Sequence, residues 1–179
     1  MRILVQRVRS ASVSVGGEDI AAIGPGLLAL VGFGQDDGPD IAESPVFASM
    51  ARKLLDMRLF PSSAAPGTAD KAAVNGNSSF HLSVGDFGGS VLLVPQFTLF
   101  ADCRKGRRPS FSHAGDPHWA AEAFQRFVCL VDELHGQGVS SGKFGADMDV
   151  QLCNWGPVTI WLDSARLFPD SAARQTSGR

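Results

Sequence analysis

Apolar and polar residues alternate from Arg2 to Arg9, with Ile3, Val5 and Arg7 on one face and Leu4, Gln6 and Val8 on the other, which predicts a strand. Arg7 is thereby set among apolar neighbours, and the pattern leaves open whether it points inward or reaches solvent from a strand edge. Residues 11–15 and 20–23 flank Gly16-Gly17-Glu18-Asp19 and predict a hairpin. After Gly24-Pro25-Gly26, residues 27–33 form an unbroken apolar run, the pattern of a strand buried on both faces. Val46, Met50, Leu54 and Met57 recur every three or four residues within 41–57 and predict a helix, for which Ser44-Pro45 is a suitable start.

Residues 58–60 read as a short strand, and 61–79, rich in Ser, Ala, Gly and Asn, as a long loop. Two further strands, 80–84 and 90–94, surround Gly85-Asp86-Phe87-Gly88-Gly89 in a hairpin-like arrangement. Asp116-Pro117 opens a second helix whose apolar face is Ala120, Phe124, Phe127, Val128, Val131 and Leu134, and Gly136 and Gly138 stop it. Finally, strands 150–153 and 158–162 are joined by a corner at Gly156-Pro157. The expected fold class is α/β (α+β): a mixed or antiparallel β-sheet covered by two main helices. It forms one domain over residues 1–164, followed by a disordered tail over 165–179.

Composition narrows the function classes. The chain has 179 residues, 44 % hydrophobic and 19 % charged, with a formal net charge of -2, so it lacks the general basicity of a non-specific nucleic-acid binder. Contact with RNA would have to be local, and Arg104, Lys105, Arg107 and Arg108 are the one dense cationic run. No apolar run reaches the roughly 18 residues of a membrane span, and the charged N-terminus is no signal peptide, which points to the cytoplasm. Cys103, Cys129 and Cys153 fit neither a disulfide framework nor a zinc site, and the four histidines form no ligand pattern, so no metal and no cofactor are expected. The glycines of 24–34 precede a strand instead of opening a helix, which argues against a phosphate-binding loop.

Gly156-Pro157 interrupts an apolar alternation and presents bare backbone, in a dipeptide for which a cis bond costs only about 0.5–1 kcal/mol. With Pro95-Gln96-Phe97-Thr98-Leu99 and Asn154-Trp155-Gly156-Pro157-Val158-Thr159, the chain resembles the D-aminoacyl-tRNA deacylases from Met1 to about Ser164. Gln6-Arg7-Val8, Gly24-Pro25-Gly26-Leu27-Leu28, the 104–111 segment and Phe144-Gly145-Ala146-Asp147-Met148 also match the family pattern, in the same order.

The resemblance implies that family's fold, with sheets joining into a barrel-like homodimer, and hydrolysis of the ester joining a D-amino acid to tRNA. By the same resemblance Gln96, Phe97 and Thr98 line the aminoacyl end, and Phe144 and Met148 pack near the terminal adenosine or the corner. Gly156 and Pro157 form a filter that excludes L side chains from the partner's site, and Arg7 holds that filter. The agents of hydrolysis are then the backbone N–H groups around Phe97 and Thr98 and the 2′-hydroxyl of the terminal adenosine. Thr98 as nucleophile lacks a base nearby in sequence, and Asp147 with Asp149 is the weaker acid–base alternative. Two departures stand out: Pro95 replaces the family's serine, and Trp155 stands where an acid is frequent. Pro95 keeps open a tRNA-binding module without hydrolytic activity, whereas the Gly-Pro corner speaks against an editing domain for L-amino acids.

Overall fold

The computed structural model describes residues 1–62 and 80–169, so most of the 61–79 loop and the end of the expected tail lie outside the described residues. Strand β1 (Arg2–Val15) is the hub of a mixed, nearly closed sheet. Its partners β2 (Glu18–Ile23) and β3 (Gly26–Gly32) keep a single antiparallel register from Ala11↔Ile23 through Val8↔Gly26 to Arg2↔Gly32. They are therefore two halves of one long strand, bent at Gly24-Pro25. Strand β4 (Ser90–Pro95) runs parallel to β3, and β5 (Val139–Ser141), which the sequence pattern did not reveal, runs parallel to β4. On the other side of β1 lies β6 (Asp149–Asp163), antiparallel, and β2 comes back against β4 and β5.

The strand period of two divides the interior into two cores. Ile3, Val5, Leu27, Ala29, Val31, Val91 and Leu93 face helices α1 (Pro45–Asp56) and α3 (Pro117–His135), with Met50, Leu54, Phe124 and Phe127 packed on them. Their neighbours Val8, Leu28, Leu92 and Val94 face inside the curved sheet. Both helices start as the sequence predicts, with proline in the first turn. Helix α3 is capped by Asp116, which accepts the His118 N–H at 2.9 Å, and ends on Gly136 in a left-handed conformation. Residues 41–43, the first three of the helix expected over 41–57, belong instead to a separate 3₁₀ turn, Pro39–Glu43, so α1 begins at the Ser44-Pro45 start.

Two expectations are corrected. Residues 80–95 are not a hairpin: Ser83 accepts the Asp86 N–H at 3.1 Å and caps a short helix, α2 (Val84–Phe87), which Gly88 closes at φ 70°. That local capping leaves β4 to pair in parallel with β3, while Leu82 bridges only Phe60, so neither 58–60 nor 80–84 is a full strand. At the other end, Ser164–Leu167, where the tail was expected to begin, is a helical turn, α4, and Phe168 packs against the main core.

The core fixes a first expectation. Phe127 is fully buried with its ring edge-on to Phe47 at 5.2 Å, so Phe127→Ala should cost about 3–5 kcal/mol, seen as a lower urea midpoint at unchanged slope.

Candidate active site

At the end of β4 the Gln96 N–H donates to the Val31 carbonyl at 2.7 Å, and the chain then turns into a 3₁₀ turn, Phe97–Phe100. This turn sits directly on the 32–34 backbone: a Cβ on Gly32 would lie 2.6 Å from the Gln96 carbonyl oxygen, and one on Gly34 would enter the Phe100 ring. Those glycines serve close approach, not phosphate binding. The first bond of the turn runs from the Leu99 N–H to the Gln96 carbonyl, so the Phe97 and Thr98 amides precede it without a partner inside the turn. Arg2 braces the far side, donating to the Leu99 carbonyl at 2.9 Å with its guanidinium 4.3 Å from the Phe100 ring centre.

A largely apolar cavity of about 660 Å³ opens beside this turn. Gln96 and Phe97 line it, as do Phe144, Met148 and Phe33. Thr98 does not; its Oγ1 accepts from the Gln96 Nε2. The Asp147/Asp149 pair is split, since Asp147 alone reaches the cavity and both carboxylates are exposed. Asp116 also borders it but is committed to capping α3. Pro95 costs the sheet nothing. Ser90 and Gln96 donate to Pro25 and Val31, so the even-numbered amides of β4 face β3, and the Pro95 nitrogen faces the other way, beyond the last residue of β5.

At the rim, Phe97 and Phe111 meet edge to face with ring centres 5.0 Å apart. Phe111 follows a loop closed by paired backbone bonds between Asp102 and Ser110, at 2.7 and 2.9 Å. The Asp102 carboxylate accepts from the Arg104 guanidinium at 2.9 and 2.7 Å and from its amide at 3.0 Å. The side-chain bond first, then the backbone bond, holds the Asp102 carboxyl far below the usual carboxylate range, and the Arg104 pKa rises in return. Lys105, Arg107 and Arg108 are exposed at the tip, with no carboxylate among the described residues paired to them.

The Gly-Pro corner is built elsewhere. Two steps along β1, from Gln6 to Val8, match five along β6, from Thr159 to Asn154, so residues 155–158 bulge out of the ladder. The Gly156-Pro157 bond is cis. Arg7, buried to 4 % exposure, donates from Nε to the Trp155 carbonyl at 2.9 Å and from its guanidinium to the Leu59 carbonyl. Asn154 spans the bulge, accepting the Val158 N–H at 2.8 Å and donating to Thr159 Oγ1 at 3.1 Å. Gly156 has φ 136°, and a Cβ there would meet Val158 Cγ2 at 2.8 Å. Among the described residues, none of 154–158 lines the cavity of the same protomer.

The sequence model described as D-Tyr-tRNA(Tyr) deacylase matches residues 4–163. The chain belongs to this deacylase family. It is 61 % identical over 168 residues to a D-aminoacyl-tRNA deacylase of Desulfovibrio desulfuricans, covering 94 % of this chain and 99 % of the relative. A D-aminoacyl-tRNA deacylase of Solidesulfovibrio magneticus is 50 % identical over 167 residues, covering 93 % and 98 %. Among solved structures, a c-Myc DNA unwinding element binding protein superposes with a TM-score of 0.74 at 34 % identity, covering 91 % of this chain and 98 % of that one. A probable eukaryotic D-amino acid tRNA deacylase shares the fold, with a TM-score of 0.73 at 18 % identity over 90 % and 98 % of the two chains.

In this deacylase-family chain the cavity draws on residues the sequence reading did not single out for the site, namely Phe33, Phe111 and Asp116. Phe111 ends the 104–111 segment that matches the family pattern, so a sequence signal exists for it. Phe33 ends an apolar run and Asp116 caps a helix, and only the fold brings them together.

Two measurements check this geometry. Gly156→Ala should lower stability by about 1–3 kcal/mol in denaturant unfolding, because alanine is strained at this φ and its methyl collides with Val158. In Arg104→Gln, the Asp102 carboxyl should titrate closer to the ordinary carboxylate range, followed by NMR of its side-chain carbon. The pair's stabilisation is present above the unfolded carboxyl pKa and lost as pH falls through the depressed folded one. A carboxyl equally depressed in the variant would assign the shift to another group.

Proposed function

We propose that the chain hydrolyses the ester of D-aminoacyl-tRNA, releasing the free D-amino acid and tRNA, as a cytoplasmic homodimer. The observation that carries this reading is a division of parts. The cavity is lined by Gln96 and Phe97, where a turn opens with two amides that have no partner inside it, and the rigidly held Gly156-Pro157 corner stands apart from that cavity. A second copy supplies the corner to the cavity, where its backbone excludes L side chains and tolerates D side chains. Phe144 and Met148 enclose the terminal adenosine, and Lys105, Arg107 and Arg108 meet tRNA phosphates, while Arg104 is held by Asp102.

In the reaction, a water oxygen adds to the ester carbonyl carbon and the Phe97 and Thr98 amides hold the resulting oxyanion. The bond from that carbon to the ribose oxygen then breaks, and the ribose oxygen takes a proton. The neighbouring ribose hydroxyl directs the water, since the cavity carboxylates are either solvated or engaged. Pro95 removes no donor from the β3 ladder, but it lines the cavity without the hydroxyl of the family's serine, so a tRNA-binding module without hydrolytic activity stands as the second reading.

The purified protein, with chelator present, should release D- but not matched L-amino acid from aminoacyl-tRNA. Loss of neither ester with tRNA still bound would refute the hydrolytic reading. Thr98→Ala should keep turnover within about tenfold of the parent, because the substitution removes only the hydroxyl that contacts Gln96 and leaves the Thr98 amide in place. A loss of a thousandfold or more with intact tRNA binding would make Thr98 a direct participant.

A further inference from the structure

We propose that the cavity rim is a binding site for the unpaired RNA just before the terminal nucleoside: a base stacks on the Phe97–Phe111 pair while Lys105, Arg107 and Arg108 hold its phosphates. This rests on the tRNA reading above and names the part of the RNA that the rim takes.

Phe97 is 54 % exposed and Phe111 38 %, an unusual exposure for two rings that fix each other edge to face at 5.0 Å. Both also line the cavity, so the pair lies where a chain entering it must pass. Exposed aromatics beside a cationic strip are what sequence-tolerant binding of single-stranded nucleic acid requires, since every base has a face to stack.

Cations are densest at that place. The whole chain carries a net charge of -2, yet the loop that ends at Phe111 holds four cations. Arg104 is neutralised by Asp102, which leaves three for a ligand. The bonds between Asp102 and Ser110 close the base of the loop one residue before Phe111, so the loop that carries the cations starts and ends beside the ring. Arg108 is three residues from Phe111, at most about 10 Å of extended chain, and one short strand can touch both. Arg104 is thus a positioning residue, acting through the loop and not on phosphate.

The test uses an RNA tetranucleotide ending in unpaired adenosine, with 2-aminopurine as the penultimate base. Binding to the full chain should quench its fluorescence, and Phe111→Ala and Phe111→Leu should each weaken binding roughly 10- to 100-fold. Leucine keeps the bulk without the ring, so a fault in folding is separated from lost stacking. Replacing Lys105, Arg107 and Arg108 together by Ala should lower the slope of log affinity against log salt by about 2, whereas Arg104→Ala should leave that slope as it was. In turnover, Phe111→Leu should cost D-aminoacyl-tRNA at least several-fold more in kcat/KM than D-aminoacyl-adenosine, which lacks the preceding nucleotides.

No quenching by the parent protein, or equal losses on both substrates, would overturn the proposal. So would Phe111→Leu that binds RNA normally but alters sedimentation, which would give the rim to a second copy. If the parent hydrolyses neither ester, the enzymatic reading fails, while the oligonucleotide experiment still decides the rim.

Discussion

The buried guanidinium of Arg7 is the constraint on which the rest depends. It lies on the face of β1 that carries Ile3 and Val5 into the core, and a charge there costs several kcal/mol unless its donors are matched. The matches are the carbonyls of Trp155 and Leu59, with the Trp155 ring centre 4.8 Å from the guanidinium carbon. One residue thereby ties the bulge of β6 to the segment leaving α1. The dependence runs both ways: the bulge turns the Trp155 carbonyl inward, and without that acceptor Arg7 could not remain where the strand period puts it. Trp155 adds packing against Phe60 and Phe87 and lies under Arg9 as well, so its half-buried ring packs against the main core.

What was legible in the sequence was whatever depends on neighbours in the chain. The period of two in 2–9 placed Arg7 on the face of Ile3 and Val5 but could not tell an inward side chain from one reaching solvent at a strand edge. Asp116-Pro117 and Gly136 marked both ends of α3 because capping is a local event. The same locality misled the reading at 80–95, where two apolar runs around glycines suggested a hairpin, and the Ser83 cap inside the first of them made a helical turn instead. The parallel pairing of β3 with β4 left no local mark, since it joins strands separated by α1, a long connection and α2. Likewise the cavity gathers Gly32, Gln96, Phe111, Asp116 and Met148, and nothing in their spacing says that they meet.

The glycines of 24–34 show how composition is a poor guide to role. Read as a loop they invite a nucleotide, but their missing side chains make room for the Ser90 backbone at Gly26, the Gln96 carbonyl at Gly32 and the Phe100 ring at Gly34. They are the floor on which the 96–100 turn rests. Because that turn is held by backbone approach on one side and by Arg2 on the other, its opening amides keep a fixed direction without help from any side chain at the cavity. A site that works through fixed dipoles needs such a support more than it needs a nucleophile, since donors placed in advance cost no reorganisation when charge develops.

The proposed division of labour, cavity from one copy and filter from another, also bears on the exposed strand. Among the described residues β6 pairs with β1 alone, and it carries Leu152 and Trp161 exposed on its surface. An unpaired edge with large apolar side chains is a liability for a lone protomer and an asset for a closed dimer, whose isologous contact makes the same patch cover itself. The corner belongs to that same strand, five residues before Trp161 at Gly156, so any contact made along β6 fixes the corner with it. In the proposed dimer, discrimination would come from rigidity within the protomer. A filter delivered by a partner can reject a side chain differing only in handedness if it cannot yield, and Arg7 and Asn154, bonded to Trp155 and Val158 on either side of the permissive Gly156, limit that freedom.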